Sequence, residues 1–151
     1  MTDKRYLKAA VEGLLFISGA GLTLAEIASG LAEDTEQVKI ALDSLIDEYA
    51  ERAFDYWLGR GLPASKAVLG VPFYSRPGWK AYRELVGTDA LAAELDLSPD
   101  GEYYNGIPTM QRKARLARAR GVGIMIRELS QDSPGAHSLL RAIDAVVKDT
   151  S

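Results

Sequence analysis

The 151-residue chain is long enough for one domain with a buried core, or for one domain plus a helical appendage. Its net charge of −3 argues against general affinity for nucleic acids or anionic membranes. The absence of cysteine excludes disulfides, thiolate nucleophiles and sulfur-ligated metals, and the single histidine, His137, cannot alone build a zinc site or a complete Ser-His-Asp triad. No apolar run approaches the roughly 18 residues of a membrane span, and no secretory signal opens the chain. We therefore expect a cytoplasmic protein without metal or other cofactors.

Two helices are predicted in the first third of the chain. Apolar residues share one face of residues 6–18, which is typical of a short amphipathic helix, and Gly19 and Gly21 are expected to end it. Thr23-Leu24-Ala25-Glu26 has the pattern of a capping box, in which the Thr hydroxyl and the Glu carboxylate bond the free amides at a helix start. The helix that it opens is predicted to cover residues 24–31.

A long third helix is predicted over Glu36 to Leu58. Asp34 or Thr35 fits its N-cap, and no turn signal interrupts it before the glycines that follow residue 58. Its apolar stripe recurs every three or four residues and consists of Val38, Leu42, Leu45, Tyr49, Ala53 and Tyr56. We expect one continuous helix in which Tyr49 and Ala53 are buried.

Three helices in this order are also typical of a DNA-binding helix-turn-helix. The third helix would then read the DNA, yet it carries an acidic surface that phosphates would repel. The run RKARLARAR at residues 112–120 has five cations but no interleaved aromatic residues, which is typical of a solvated helix face. We expect no nucleic-acid partner and no membrane partner.

The first third of the chain resembles the start of bacterial segregation and condensation protein B. The resemblance covers residues 6–52 and rests on LKAAVEGLLFISGAGLTLAEIASGLAEDTEQVKIALDSLIDEYAER, with its AxEGLLF-type first helix and its acidic third helix ending near Glu-Tyr. It implies a winged-helix fold that binds a kleisin partner of the condensin complex. The wing hairpin and the second winged-helix domain of that family do not follow, so only the three helices are expected.

The second part of the chain alternates predicted strands and helices, which indicates βαβ units and a parallel sheet. The run AVLGVPFY at residues 67–74 has the length and composition of a buried parallel strand. The remaining elements are predicted as helices over residues 79–86, 90–95, 108–120 and 138–148, a brief strand over 102–105 and a second buried strand over 122–129.

Residues 54–147 resemble the final part of the family-18 glycoside hydrolases, the chitinases. The stretches that carry the resemblance are FDYWLGRGLPASKAVLGVPFYSR, YYNGIPTMQRKARLA and GIMIRELSQDSPGAHSLLRAI. They imply the last strands and helices of a (β/α)8 barrel. The catalytic signature of that family, D-x-x-D-x-D-x-E, is not started by any aspartate of this sequence.

That signature supplies the chemistry of the family. Its Glu protonates the glycosidic oxygen, and a neighbouring Asp supports the substrate acetamide as internal nucleophile. Glu128 and Asp132 lie near a predicted strand end, but we interpret them as a solvated loop pair. We therefore expect no enzyme activity and no catalytic residues.

The resemblance marks three vestigial positions of a sugar cleft: Tyr74, Tyr104 and Arg127. Tyr74 matches a cleft tyrosine of the family, although packing or hydrogen bonding within the fold is the more common role of such a residue. Arg127 stands where the family has the Trp on which a sugar ring stacks, and Ser75 stands where it commonly has Gly.

These observations lead to one hypothesis. The fold class is α/β: three N-terminal helices fused through a long helix to a small parallel sheet of 2–3 strands with flanking helices, a partial (β/α)8 barrel. The domains are 1–52 and 53–151, forming one cooperative unit. The chain is interpreted as a chimera, engineered rather than natural, that serves as a folded scaffold without catalytic function or required partner, as monomer or dimer. The alternatives are a residual chitooligosaccharide binder, with weak affinity, and a protein–protein interaction module of the condensin type.

Overall fold

The computed structural model describes residues 4–18, 21–87 and 89–149. The predicted helix end at Gly19 and the loop residue Thr88 lie outside these ranges. The chain divides into two compact units, Met1–Tyr56 and Trp57–Ser151.

The first unit contains the three predicted helices. They are α1 (Lys4–Ser18), α2 (Leu24–Leu31) and α3 (Thr35–Leu58). The capping box is confirmed, because the Glu26 amide donates to Thr23 Oγ1 at 3.2 Å and the Thr23 amide donates to the Glu26 carboxylate at 2.7 Å. The core of this unit is formed by apolar side chains of all three helices: Leu7, Val11, Leu24, Ile27, Ala28, Val38, Ala41 and Leu45.

Helix α3 is continuous from Thr35 to Leu58, as predicted, and Asp34 caps it by accepting from the Glu36 amide at 2.8 Å. The predicted burial of Tyr49 and Ala53 is wrong: Tyr49 is 52% exposed and Ala53 is exposed. Helices α1 and α2 have only 15 and 8 residues, whereas α3 has 24, so they cover only part of its apolar stripe. The Tyr49 hydroxyl instead donates to the Glu12 carboxylate at 2.5 Å on the surface.

The second unit is built on two parallel strands, β1 (Val68–Pro72) and β2 (Gly123–Arg127). They pair in register from Val68 opposite Gly123 to Pro72 opposite Arg127. Between them lie α4 (Tyr82–Val86) and α5 (Ile107–Arg120), and α6 (Leu139–Lys148) follows β2. The brief strand predicted over residues 102–105 does not form, since Tyr103 makes only isolated bridges to Arg76 and Leu97.

Two predicted helices of this unit are shorter or tighter than expected. The helix predicted from residue 79 begins only at Tyr82, because Trp79 has a left-handed φ of 61° that no helix residue adopts. Residues Ala90–Glu94 form a 3-10 helix rather than an α-helix. Helices α5 and α6 begin within one residue of their predicted starts.

The sheet buries one face against α5 and α6. Val71 is 1% exposed, and Leu69, Ile124 and Ile126 pack partly buried against the same core. The opposite face is open, with Met125 53% exposed. The buried core of this unit comprises Val71, Phe73, Tyr82, Leu85, Val86, Ala92, Ala93, Tyr104, Met110, Ala114, Leu139, Ile143 and Val146.

Across residues 4–18, 21–87 and 89–149, no helix has both the length and the apolar character that a bilayer span needs.

The continuity of α3 gives a prediction for Ala50, a half-buried residue in the middle of the helix. Ala50→Pro removes a backbone hydrogen bond and clashes with the preceding turn, so it should lower the free energy of unfolding by about 3 kcal/mol or more. Ala50→Gly is the matched control and should cost only about 1 kcal/mol. Urea unfolding followed by circular dichroism measures both, and equal midpoints for Ala50→Pro and wild type would mean that α3 is interrupted there in solution.

Candidate functional site

The chain folds back on itself directly after β1. The Phe73 amide donates to the Arg127 carbonyl at 2.7 Å and so extends the parallel ladder by one residue. Tyr74 then forms an antiparallel bridge with Ala81, and the Ser75 amide donates to the Lys80 carbonyl at 2.9 Å. Residues 74–81 are therefore a closed loop at the C-terminal end of β1, which we call the β1–α4 loop.

Three side chains of this loop form a surface cluster. The rings of Tyr74 and Trp79 stack with their centroids 5.1 Å apart and their planes 25° apart. The guanidinium carbon of Arg76 lies 3.3 Å from the Trp79 ring centroid and 5.5 Å from that of Tyr74. Trp79 is 56% exposed and Tyr74 is half-buried. The Arg76 guanidinium covers one face of the Trp79 ring, so the surface of the Tyr74–Arg76–Trp79 cluster combines aromatic and cationic groups. A stacked and cation-bound ring is held more firmly than an isolated exposed one.

A buried carboxylate supports the same loop. Oε2 of Glu102 accepts a hydrogen bond from the Ser75 hydroxyl at 2.6 Å and from the Gly78 amide at 2.9 Å. Ser75 is completely buried and Glu102 is 7% exposed. The Ser75 oxygen also accepts from the Lys80 amide at 3.0 Å. Charge-assisted hydrogen bonds in a site that excludes water are among the stronger polar contacts in a protein.

Glu102 is itself held by the turn that precedes it. Its amide donates to the Ser98 hydroxyl at 3.0 Å, and the Ser98 amide donates to the Glu102 carbonyl at 3.0 Å. Next to it, Asp100 pairs with Lys80, and the hydrogen bond from Lys80 is the main cause that lowers the pKa of Asp100.

The structure places the three predicted cleft positions in two different surroundings. Tyr74 and Arg127 both lie at the C-terminal end of the sheet, where Arg127 is exposed as the last residue of β2. Tyr104 lies in the core, 7% exposed, and its hydroxyl donates to the Ala92 carbonyl at 2.7 Å. Burial raises the pKa of Tyr104 to about 12. Its hydroxyl is thus engaged inside the fold.

Sequence reasoning missed Arg76, Trp79 and Glu102. The Pro77-Gly78 pair is a turn signal and could have placed Trp79 in a loop instead of a helix. Nothing local marks Glu102, because its partner Ser75 is 27 residues away in the sequence.

The two carboxylates near the end of β2 have structural partners. Asp132 accepts from the Ser138 hydroxyl at 2.7 Å and from the Leu139 amide at 2.8 Å, and so caps the start of α6. Glu128 is exposed and accepts from the Ser130 hydroxyl at 2.6 Å. The interpretation as a solvated loop pair fits Glu128 but overlooks the capping role of Asp132.

Among the described residues, no group of three or more His, Cys, Asp or Glu side chains is arranged to hold a metal ion.

Known proteins resemble the chain only in part. No family profile matches the sequence, and no curated protein matches it. A solved structure of a GH18 chitinase, ChiB from the chitin utilization locus of Flavobacterium johnsoniae, is similar with a TM-score of 0.60 and 34% identical residues. The similarity covers 68% of this chain but only 35% of that one, so this chain spans about a third of the length of the chitinase.

This similarity confirms the predicted fold class, an α/β chain whose small parallel sheet is part of a (β/α)8 barrel. It also supports the chitinase resemblance of residues 54–147. The comparisons give no evidence for the resemblance of residues 6–52 to segregation and condensation protein B, which stays a prediction.

Proposed function

We propose that this chain is a non-catalytic chitinase-like fragment that binds oligosaccharides of N-acetylglucosamine without cleaving them. The observation that carries the proposal is the exposed Tyr74–Arg76–Trp79 cluster at the C-terminal end of β1. Its setting is a fold similar to part of a chitinase.

The position of the cluster supports a binding role. In (β/α)8 barrels, ligands are held at the C-terminal ends of the strands by the loops that follow them. The β1–α4 loop is such a loop, and it presents Trp79 to solvent instead of burying it. The axial C–H bonds of a pyranose give the sugar an apolar face that can pack on an aromatic ring, while its hydroxyls can accept hydrogen bonds from Arg76.

The affinity should be weak. Arg127 takes the place at which the chitinase resemblance implies the Trp that stacks on a sugar ring. Among the described residues, the Tyr74–Arg76–Trp79 cluster is the aromatic platform at this edge of the sheet. We expect a single platform that contacts one or two sugar rings to bind with a Kd on the order of 1 mM, which corresponds to a binding free energy of about −4 kcal/mol.

The carboxylates of this chain do not have the arrangement that hydrolysis requires. The sequence holds no D-x-x-D-x-D-x-E signature. Asp132 is committed to the start of α6, and Glu128 is an exposed loop residue, so neither is placed as the buried acid that would protonate a glycosidic oxygen. We further propose that the chain is a fusion of two fragments. This proposal is supported by the resemblance of residues 6–52 to segregation and condensation protein B.

Binding can be tested by calorimetric titration with N-acetylglucosamine hexamer. Trp79→Ala should weaken the affinity at least about tenfold, the equivalent of about 1.4 kcal/mol, because it removes most of the exposed platform. Trp57→Ala is a matched control, since Trp57 is 57% exposed and Trp79 is 56% exposed. Equal affinities for Trp79→Ala and wild type, or no heat of binding with wild type, would contradict the proposal.

Hydrolysis is tested separately, by release of reducing ends from the same hexamer. We expect the rate of buffer alone, since acid–base assistance typically supplies 10²–10⁴-fold and the sequence holds no D-x-x-D-x-D-x-E signature. The buried carboxylate of Glu102 is engaged by the Ser75 hydroxyl and the Gly78 amide. The proposal fails on this point if the purified protein shows turnover that Glu128→Gln or Asp132→Asn abolishes while Asp144→Asn leaves it intact.

A further inference from the structure

We propose that Glu102 is a positioning residue for the Tyr74–Arg76–Trp79 cluster: its buried carboxylate fixes the β1–α4 loop in the conformation that stacks Trp79 on Tyr74. The conformational part of this inference stands on the geometry of the loop. Its consequence for sugar affinity rests on the proposed function.

One carboxylate oxygen holds the loop on both sides of Arg76. Oε2 of Glu102 accepts from the hydroxyl of Ser75, which follows Tyr74, and from the amide of Gly78, which precedes Trp79. The two donors therefore fix the segments that carry the two stacked rings.

Ser75 links this carboxylate to the far end of the loop. Its hydroxyl donates to Glu102 and accepts from the Lys80 amide at 3.0 Å, while the Ser75 amide donates to the Lys80 carbonyl at 2.9 Å. The chitinase resemblance leads one to expect a glycine at position 75. A glycine has no hydroxyl and could make neither of these two side-chain hydrogen bonds. The Ser75–Glu102 hydrogen bond therefore depends on the serine that this chain has at position 75.

The carboxylate packs directly on the loop backbone. A Cβ atom built on Gly78 would lie 2.1 Å from Oε1 of Glu102, so no side chain fits at position 78 without displacing the carboxylate. A buried charge is costly unless donors surround it, and the loop supplies those donors only in this conformation. Burial of Glu102 therefore selects the loop conformation.

Hydrogen bonds also hold the backbone of the segment that carries Glu102. Tyr103 exchanges two backbone hydrogen bonds with Arg76, at 2.8 and 2.7 Å, and Ser98 holds the Glu102 amide. Trp79 has a left-handed φ of 61°, which is unfavourable for a bulky residue and persists only where neighbouring contacts impose it. Without the carboxylate, the backbone at Trp79 is free to leave that conformation and the rings to separate.

The test uses the whole chain with Trp57→Phe, so that Trp79 is the remaining tryptophan. Glu102→Ala removes the carboxylate, Glu102→Gln keeps its shape and one acceptor oxygen, and Ser75→Gly removes the linking hydroxyl. Asp100→Asn is the matched control, because Asp100 is a nearby exposed carboxylate that pairs with Lys80 and not with the Ser75 hydroxyl. Two quantities are measured: the near-ultraviolet circular dichroism of Trp79 without ligand, and the affinity for N-acetylglucosamine hexamer.

We expect Glu102→Ala to lose the Trp79 dichroism and to bind the hexamer at least about tenfold more weakly, with Glu102→Gln restoring part of both. Asp100→Asn should match its parent. Far-ultraviolet circular dichroism reports whether each variant folds. If Glu102→Ala does not fold, the test is made with Glu102→Gln and Ser75→Gly. Unchanged Trp79 dichroism in every folded variant at positions 75 and 102 would overturn the inference.

The two proposals fail in distinguishable ways. Lost dichroism in Glu102→Ala together with no hexamer binding by the parent would support the positioning role and refute the sugar-binding function. Unchanged dichroism together with hexamer binding by the parent would refute the positioning role alone.

Discussion

The arrangement of the candidate site depends on one buried carboxylate that needs hydrogen-bond donors. Glu102 is 7% exposed, and two of its donors, the Ser75 hydroxyl and the Gly78 amide, come from the β1–α4 loop. Because an unpaired buried charge would cost several kcal/mol, the loop cannot relax without either exposing this carboxylate or replacing its lost donors. The exposed stacking of Trp79 on Tyr74 is a consequence of that requirement.

The fold around the site is a barrel segment with an open face. Two parallel strands bury one face against α5 and α6, and the other face, which includes Met125, remains accessible. In a complete (β/α)8 barrel that face would belong to the packed interior, and the sites of chemistry would lie at the strand ends above it. Two features support the proposed binding without cleavage: the aromatic cluster at a strand end and the engagement of Asp132 as a helix cap.

Features that local sequence determines could be predicted, and features that depend on distant partners could not. The capping box at Thr23, the length of α3 and the two parallel strands follow from short-range patterns, and the structure agrees with them. The predicted burial of both strands is wrong, because one face of the sheet is open and β2 has no buried residue. The exposure of Tyr49 was missed because periodicity identifies an apolar face but not the length of the neighbours that cover it. The role of Glu102 was missed because it depends on a contact between residues 27 positions apart. The loop conformation of Trp79 was missed although the adjacent Pro77-Gly78 turn signal indicates it.

Hydrogen exchange of the Gly78 amide tests the central claim most directly. Gly78 is exposed, yet its amide donates to a buried carboxylate, so protection of this amide reports the contact between Glu102 and the loop. The account predicts slow exchange of the Gly78 amide in the wild-type chain and exchange close to that of a free peptide in Glu102→Ala. Free-peptide exchange of this amide in the folded wild-type chain would contradict the account.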